Sequence, residues 1–398
     1  MGAGWRRKAY NLAALRDLAR RELPRAVFDF IDGGAEDELT RNANENAFAE
    51  WSFRPMPLNG VGAVDLSVEL FGRRLALPVM IGPTGLAGMT WPKGELEAAK
   101  AARAAGTVYC MSHGSTVRIE DLAAAVPEGL WYQVFMYRDR GLTRSMAERA
   151  HEAGYEALVL TTDNQLLGQR ERDLRNGFTI PPRLTWRNGF DAVRCLPWVR
   201  RMANARGLTF ANYPGAGNDI LSLGKHMAEL LDPAASWRDV EWLRGIWQGP
   251  LILKGVLHPE EARRAIDCGV DGVIVSNHGG RQLDGAVASV RALPEIAEAA
   301  AGRLVVLLDG GIRRGGHVVK ALALGADACL IGRPHLFGLA VAGTDGVARV
   351  LEILRAEMER VMALGGWARA SELGRPILAG PGIPAGGQEP HPLRDAAE

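Results

Sequence analysis

Short apolar runs of strand length recur along the chain, and their number constrains the fold more than any other feature. Eight such runs are present, at Leu77–Gly82, Thr107–Ser112, Leu130–Met136, Ala157–Asp163, Leu251–Val256, Gly272–Asn277, Leu304–Asp309 and Ala328–Gly332. Because they are continuously apolar, they predict strands that are buried on both faces, as in a parallel sheet. Stretches with helical period separate them, among them Gly94–Ala105, Thr143–Ala153, Pro259–Cys268 and Gly316–Leu324.

The alternation of eight strands with helices predicts a single (β/α)8 barrel. Glycines follow four of the predicted helices, where helix C-caps are common, at Gly106, Gly154, Gly269 and Gly325. An open α/β sheet with a miscounted strand is the alternative. The 398 residues suit one large barrel domain, which we place at residues 1–373.

Three segments depart from the strand–helix repeat. Residues 11–53 have helical character and are expected to cap the barrel. An insertion at about 176–237 follows the fourth strand, and long insertions on that face are usually lids, binding loops or docking elements. The last segment, 374–398, is rich in proline, glycine and charge, which predicts a flexible tail.

Charge and cysteine content exclude several classes of protein. Lys and Arg number 47 and Asp and Glu 46, so we expect no overall attraction to nucleic acid. The four cysteines have neither CxxC spacing nor neighbouring histidines, so we predict no metal site and a reducing, cytoplasmic setting. The basic N-terminus lacks the apolar stretch of a secretory signal, and no run approaches the roughly 20 apolar residues of a spanning helix. Any contact with a membrane is expected at its surface.

Polar, charged and glycine residues follow the predicted strands at the end where barrel enzymes carry their sites. They are Thr161, Asp163 and Arg170 after the fourth strand, Lys254 in the fifth, Ser276, His278 and Arg281 after the sixth, Asp309, Gly310, Gly311 and Arg313 after the seventh, and Gly332 and Arg333 after the eighth. The last two loops combine exposed backbone N–H groups with an arginine each, which predicts a phosphate site. A structural role would explain any one of these residues but poorly explains the whole set.

His278, between a strand end and a Gly-Gly turn, is the candidate general base. A lone histidine is more often structural. Proton abstraction from an acidic substrate, however, needs a base of near-neutral pKa, a carboxylate beside it and cations for the substrate. Asp163, Arg170 and Arg281 supply those groups.

With these motifs the chain resembles the FMN-dependent α-hydroxy-acid oxidase/dehydrogenase family from about Leu23 to Leu364. The segments that carry the resemblance are FDFIDGGAEDE, LPVMIGPTGLAGM, LTTD with GQRERDLRNGF, VSNHGGRQLDG and LLDGGIRRGGHVVKALALGADACLIGRP. GPTGL, WPKGELEAA, IEDLA and ERDLRN are most similar to the (S)-mandelate dehydrogenase branch. The resemblance implies FMN as cofactor, oxidation of a small 2-hydroxy acid to the 2-oxo acid, and a homotetramer.

The resemblance also implies a role for each matching residue. Contacts with FMN are expected from Pro83, Thr84, Gly85, Ser112, Gln133, Thr161, Lys254 and Ser276, and contacts with its phosphate from Asp309, Gly310, Gly311, Arg313, Gly332 and Arg333. His278 would be the base assisted by Asp163, and Arg170 and Arg281 would bind the substrate carboxylate. A cation at Lys254 would offset the charge that a flavin gains on reduction; the alternative is a structural lysine paired with a carboxylate.

Two phenylalanines depart from the family pattern, which normally has tyrosines at Phe30 and Phe135. The loss of these donors should weaken substrate binding by about 1–3 kcal/mol wherever a buried partner goes unpaired. The more apolar pocket favours an aromatic or bulky, mandelate-like acid. Tyr137 is a candidate replacement for a lost hydroxyl, and His113 either faces the pocket or is structural.

The electron acceptor and the cellular site follow from weaker features. Gly85 stands where oxidase-type members often carry alanine, which favours a dehydrogenase with a quinone or another acceptor. The insertion interleaves cations with aromatics, at Arg183, Arg187, Arg194, Arg200, Arg201 and Arg206 and at Trp186, Phe190, Trp198, Phe210 and Tyr213. Such a segment can lie in a bilayer interface; the alternative is a lid packed on the barrel or a contact between subunits.

Three other functions stay open. One is an oxidase of lactate or hydroxymandelate type that uses O2. Another is an FMN barrel of a different reaction type, such as a type 2 isopentenyl-diphosphate isomerase or an IMP dehydrogenase relative, although these lack NHGGRQLD. The last is a catalytically altered FMN-binding member of the family, which the two phenylalanines allow.

Overall fold

A closed barrel of eight parallel strands forms the centre of the computed structural model, which describes residues 4–177, 194–203, 209–213 and 229–383. The strands are β1 Val79–Ile81, β2 Tyr109–Ser112, β3 Leu130–Val134, β4 Ala157–Thr161, β5 Leu251–Val256, β6 Gly272–Val275, β7 Val305–Leu308 and β8 Ala328–Ile331. Each strand pairs with the next, and β8 pairs with β1 to close the ring. The predicted (β/α)8 barrel is confirmed, each predicted run contains one strand, and the open-sheet alternative is wrong.

A helix follows each strand and covers the outside of the barrel. These helices are Gly94–Ala104, Ile119–Ala125, Arg140–Glu152, Trp237–Ile246, Pro259–Asp267, Ser289–Ala300, Gly315–Ala323 and Arg333–Gly365, the last interrupted by non-helical backbone at Ala342 and Gly343. The four predicted C-cap glycines all have a left-handed φ, between 68° and 109°. The predicted helix ends are therefore confirmed.

The continuous apolar strands arise because the barrel has two separate cores. Cys110 and its counterparts in the other strands form a cluster inside the ring. Tyr109 and Met111, on either side of Cys110, belong to the larger core between strands and helices. A strand in this position has no solvent-facing side, so its sequence does not alternate with polar residues.

The N-terminal segment forms the expected helical cap. Its helices are Trp5–Lys8, Leu12–Glu22, Arg25–Asp32 and Leu39–Asn46, followed by a 3-10 turn at Ala47–Glu50. The side-chain amides of Asn44 and Asn277 donate to each other, at 2.7 and 2.8 Å. The backbone N–H of Ala35 donates to the carbonyl of Gly280 at 2.8 Å. These bonds attach the cap to the loop after β6.

The described part of the insertion packs on the protein. One short helix, Glu171–Arg175, directly precedes it, and another, Leu196–Ala203, lies within it. Trp198 donates through Nε1 to the carbonyl of Met89, and the guanidinium of Arg201 lies 4.7 Å from the ring of Trp91. These contacts agree with the packed-lid alternative for residues 194–203, whereas Arg183, Trp186, Arg187, Phe190 and Arg206 lie outside the described residues. No helix within the described ranges is long and apolar enough to cross a bilayer.

The beginning of the predicted tail is part of the fold. Leu378–Ala379 pairs with Ser52–Phe53 as a two-stranded antiparallel sheet, and the side chain of Leu378 is fully buried. The prediction of a flexible tail is therefore wrong for 374–383, because the average composition of the segment concealed one well-placed apolar residue. Residues 384–398 lie outside the described ranges.

The docking of this segment predicts a stability effect. Leu378→Ala should lower the free energy of unfolding by about 2–4 kcal/mol, because a buried leucine loses its transfer energy and leaves a cavity. The measurement is urea unfolding followed by circular dichroism. Leu58 is 99% exposed, so Leu58→Ala is the control and should change stability by no more than about 0.5 kcal/mol. Equal stability of the two variants would contradict the docking.

Candidate active site

A cavity of about 310 Å³ opens at the C-terminal ends of the barrel strands. The residues predicted from the sequence that line it are Phe30, Pro83, Thr84, Gly85, Ser112, Gln133, Phe135, Thr161, Arg170, Lys254, His278, Arg281, Asp309, Gly310, Gly311, Arg313, Gly332 and Arg333. Asp163 and Ser276 do not line the cavity and stand behind it, in contact with residues that do. The structure therefore brings the whole predicted set to one place.

His278 is held in a geometry that suits a general base. Its backbone has a left-handed φ of 58°, and the two glycines that follow are left-handed as well. This conformation costs a non-glycine residue on the order of 1 kcal/mol. Its Nδ1 lies 2.9 Å from a carboxylate oxygen of Asp163. Since an ionised carboxylate only accepts, Nδ1 carries the hydrogen and Nε2 keeps a free lone pair.

The electrostatics keep this pair as a neutral imidazole and a carboxylate. Burial lowers the pKa of His278 below its usual value, and the charges of Lys254 and Arg170 add to that effect against the opposing influence of Asp163. Burial raises the pKa of Asp163, but His278 and Lys254 outweigh it, so that this pKa is lowered. His278 is thus unprotonated near neutral pH, as a base must be.

Lys254 is positioned by an irregularity in β5. The pairing of β5 with β6 shifts register between Lys254 and Val256, and Gly255 has a φ of 111°. A Cβ on Gly255 would lie 2.8 Å from the side chain of Asp163, so glycine is required there. Lys254 Nζ lies 2.9 Å from Asp309 and 2.8 Å from the hydroxyl of Ser276.

The charge of Lys254 is retained despite its burial. Burial lowers its pKa, but Asp309 and Asp163 outweigh that effect and the pKa is raised. The pairing with a carboxylate is therefore present and the ammonium borders the cavity, while a role beside a flavin stays a prediction.

Two buried arginines, Arg170 and Arg281, face the cavity without an acidic partner within ion-pair distance among the described residues. Arg281 donates through Nη1 to the carbonyls of Phe30 and Gly33, at 2.8 and 2.9 Å, and its guanidinium lies 5.2 Å from the ring of Phe30. Nε of Arg170 is buried with no hydrogen-bond partner in the part of the chain that the structure describes. Burial, followed by the charge of Arg170, lowers the pKa of Arg281. An anion bound between the two guanidinium groups would offset the repulsion between their charges.

A second pair of buried cations lies at the loops after β7 and β8. Arg313 donates to Glu45 at 2.8 Å, whereas within the described ranges Arg333 donates only to the carbonyls of Gly33 and Gly279. Nε of Arg333 is buried and has no partner among those residues. Burial and the neighbouring Arg313 lower the pKa of Arg333 to about 9. A phosphate group would supply the missing negative charge.

The second glycine of each double glycine, after β6 and after β7, is required by packing against the N-terminal cap. A Cβ on Gly311 would lie 1.9 Å from the carbonyl of Asn44, and one on Gly280 would lie 2.3 Å from the backbone of Arg41. The motifs therefore serve close approach of the cap as well as exposure of backbone N–H groups.

Gln133 offers an unpaired donor on the opposite wall of the cavity. Its Oε1 lies 3.3 Å from the hydroxyl of Ser112 and 3.4 Å from the backbone N of His113, which orients the amide. Its Nε2 is buried and has no hydrogen-bond partner among the residues that the structure describes. Since buried polar groups are nearly always hydrogen-bonded, this donor indicates a polar ligand. Together with the phosphate loops it fits FMN.

One backbone oxygen connects the two pairs of arginines. The carbonyl of Gly33 accepts from Arg281 at 2.9 Å and from Arg333 at 2.8 Å. Asp32, just before it, accepts from Arg16 and Arg41 and is almost fully buried. The sequence identified the segment around Gly33 only as the opening of the family pattern. Its glycines were the one available signal that the arginines approach its backbone closely.

Several lining residues were not predicted because apolar side chains carry no chemical pattern. They include Ile31, Leu86, Leu167, Phe210, Leu231 and Leu336, together with Asn164. Phe210 and Leu231 are the described residues by which the insertion reaches the cavity. Tyr137 does not line the cavity, so the hypothesis that its hydroxyl directly replaces the one missing at Phe135 is wrong.

Comparisons with known proteins agree with this geometry. The model of the family described as FMN-dependent dehydrogenase matches residues 19–379. An L-lactate oxidase of Nostoc sp. is 42% identical over 372 residues, 92% of this chain and 97% of that protein. An L-lactate dehydrogenase of Caulobacter sp. is 43% identical over 368 residues, 92% and 97% of the two chains.

A solved structure is similar as well. The crystal structure of the monotopic membrane protein (S)-mandelate dehydrogenase has a TM-score of 0.90 and 39% sequence identity. The match covers 93% of this chain and 99% of that one.

The arginines of the loops after β7 and β8 predict an effect on cofactor binding. Arg313→Met should weaken FMN binding about 10- to 100-fold, since a hydrogen bond to a charged group contributes about 1.5–3 kcal/mol. Quenching of FMN fluorescence on titration with apoprotein measures the affinity. The neighbouring Arg314 is half exposed and pairs with Glu357, so Arg314→Met is the control and should leave affinity unchanged. Equal affinities would place the phosphate elsewhere.

Proposed function

Because the chain belongs to the FMN-dependent dehydrogenase family, we propose that it oxidises an (S)-2-hydroxy acid with an aromatic or other bulky side chain to the 2-oxo acid. The family establishes FMN as cofactor and a 2-hydroxy acid as substrate. The side chain, the electron acceptor and the role of each residue are part of the proposal. It depends above all on the contact of His278 with Asp163 beside two buried arginines.

The chain's own groups supply binding and proton transfer. Conversion of a 2-hydroxy acid to a 2-oxo acid removes two electrons and two protons, which end on the final acceptor. FMN, when bound, accepts the two electrons. Arg170 and Arg281 bind the substrate carboxylate, and Nε2 of His278 takes a proton from the substrate. Asp163 stabilises the imidazolium that results.

The walls of the cavity support a bulky side chain. Phe30, Phe135 and Phe210 contribute aromatic rings, and Leu167 and Leu231 add aliphatic surface. Lactate and glycolate would leave most of this apolar surface without contacts, whereas a phenyl ring would bury it. The similarity to (S)-mandelate dehydrogenase points to the same class of acid.

The acceptor proposed here is a quinone or another molecule in place of O2. Gly85 borders the cavity, and a Cβ added to it would meet nothing closer than the carbonyl of Gly114 at 3.6 Å. The protein around Gly85 thus has room for the methyl group that oxidase-type members often carry. Glycine in place of that alanine is the feature that favours a dehydrogenase with an acceptor other than O2. We also propose a homotetramer of single-domain subunits, with peripheral contact at the inner face of the membrane by the insertion.

Replacement of the proposed base tests the mechanism. His278→Asn should slow flavin reduction by 2-hydroxy acids at least about 100-fold, the usual contribution of a positioned base, without loss of bound FMN. Anaerobic stopped-flow absorbance measures the rate. His258 caps a helix at the surface, so His258→Asn is the matched control and should reduce at the wild-type rate. A His278→Asn variant as fast as the control would refute the assignment.

The pH dependence tests the role of Asp163. The lowered pKa of His278 predicts that the wild-type rate of flavin reduction is constant above the usual histidine range and falls as the pH drops through that lowered value. Asp163→Asn removes the group that raises this pKa, so the acid limb should move to lower pH. The plateau should also fall, because the imidazolium loses its partner. An unchanged profile would show that Asp163 has only a structural role.

A panel of acids and acceptors tests the rest of the proposal. Under anaerobic conditions (S)-mandelate should bleach the flavin faster than L-lactate or glycolate, and menadione should then reoxidise it faster than air. Faster reoxidation by air would favour the oxidase alternative. An FMN protein that none of these acids bleaches would favour an altered member of the family and contradict the proposed function.

A further inference from the structure

Three side chains form a buried hydrogen-bonded cluster beside the cavity. Nδ1 of His113 lies 2.5 Å from the hydroxyl of Tyr213 and 3.0 Å from that of Tyr137, and the two hydroxyls are 2.6 Å apart. His113 lines the cavity, whereas neither tyrosine does. Nε2, on the other edge of the imidazole, therefore faces the cavity. The imidazole lies next to the ring of Phe135, with 4.2 Å between the ring centroids.

The number of hydrogens in the cluster decides the tautomer of His113. Each tyrosine hydroxyl donates one hydrogen. If Nδ1 accepts, one hydroxyl donates to the other and the second donates to Nδ1, so that both hydrogens are used. If Nδ1 carried a hydrogen, one hydroxyl would have no acceptor among the described residues, and an unpaired buried donor is costly. The hydrogen therefore resides on Nε2.

Nε2–H has no hydrogen-bond partner within the described part of the chain. Burial, followed by the charge of His278, lowers the pKa of His113 to about 3. The imidazole is therefore a neutral donor throughout the physiological range and adds no charge to the cavity.

The position of this donor in the barrel defines which part of a substrate can reach it. His113 follows β2 and His278 follows β6, which are opposite each other in a ring of eight strands. Arg170 and Arg281 follow β4 and β6. A substrate with its carboxylate at these arginines and its reacting carbon at His278 therefore directs its side chain across the mouth, towards His113 and Phe135.

We propose that His113 is a specificity residue, whose Nε2–H donates a hydrogen bond to an acceptor atom on the substrate's side chain. The preferred substrate is accordingly an aromatic 2-hydroxy acid with an oxygen substituent on its ring. The inference rests on the proposed function and adds the chemistry of the side chain to it. The donor stands beside Phe135, where the sequence lacks a family hydroxyl.

The insertion takes part in this arrangement through Tyr213. The segment 209–213 is docked on the loop after β2, where the side-chain amide of Asn212 accepts from the backbone N of Ile119 at 2.9 Å and the N–H of Ala211 donates to the carbonyl of Ser115. Tyr213 and Tyr137 thus act as positioning residues, because they fix the tautomer of His113 without reaching the cavity.

Matched substrate pairs test the proposal in the holoenzyme. Methoxy and ethyl groups are nearly equal in size, but only the methoxy group accepts a hydrogen bond. For (S)-mandelates substituted at ring position 2, 3 or 4, the concentration dependence of anaerobic flavin bleaching gives the Kd. At one of these three ring positions, the wild type should bind the methoxy acid about tenfold more tightly than the ethyl acid, as one hydrogen bond allows.

Two variants then identify the donor. His113→Phe keeps an aromatic ring without the N–H, so it should bind both members of the pair equally and still be bleached by unsubstituted mandelate. The double variant Tyr137→Phe/Tyr213→Phe leaves His113 in place but frees its tautomer, so it should reduce the preference while the Kd of mandelate is unchanged.

The possible failures are distinguishable. A wild type that no 2-hydroxy acid bleaches would overturn the proposed function itself. Bleaching without a methoxy preference at any ring position, or a preference that survives in His113→Phe, would overturn only the role of His113. Equal weakening of all acids in His113→Phe would mean that the donor contacts the shared carboxylate or hydroxyl, which also refutes a role in side-chain specificity.

Discussion

Four buried guanidinium groups at the barrel mouth impose the main constraint on this protein. Arg170 and Arg281 form one pair and Arg313 and Arg333 the other, and burial lowers the pKa of all four. Glu45 is the one carboxylate within ion-pair distance of them among the described residues. Partly buried cations of like charge repel each other, so the site favours anionic ligands. A carboxylate on one side and a phosphate on the other meet that preference.

The N-terminal cap holds these cations in place. The carbonyl of Gly33 accepts from one arginine of each pair, so the proposed binding regions for carboxylate and phosphate share a support. Asp32 anchors that turn through Arg16 and Arg41, and Asn44 joins the cap to the loop of the proposed base through Asn277. The helices before the barrel are thus part of the site, which explains why glycines line the loops that they approach.

The proposed chemistry and the proposed specificity use two histidines that are opposite tautomers. His278 is oriented by a carboxylate that takes the hydrogen of Nδ1, which leaves Nε2 free to accept a proton. His113 is oriented by two linked tyrosine hydroxyls, one of which donates to Nδ1, which leaves Nε2 as a donor. Burial keeps both neutral. The difference between a base and a recognition group therefore lies in the partners of one ring nitrogen.

The sequence alone determined the barrel, its glycine-capped helices and most residues of the site, including His278 and Lys254. Apolar periodicity is local, and residues that follow parallel strands must meet at one end of the barrel. Only the tertiary structure decided that Gly33 serves two arginines, that Tyr213 reaches His113, and that Leu378 is buried against the barrel. These contacts join residues a hundred or more positions apart in the chain. No local pattern records them, because they depend on how close the folded backbones come.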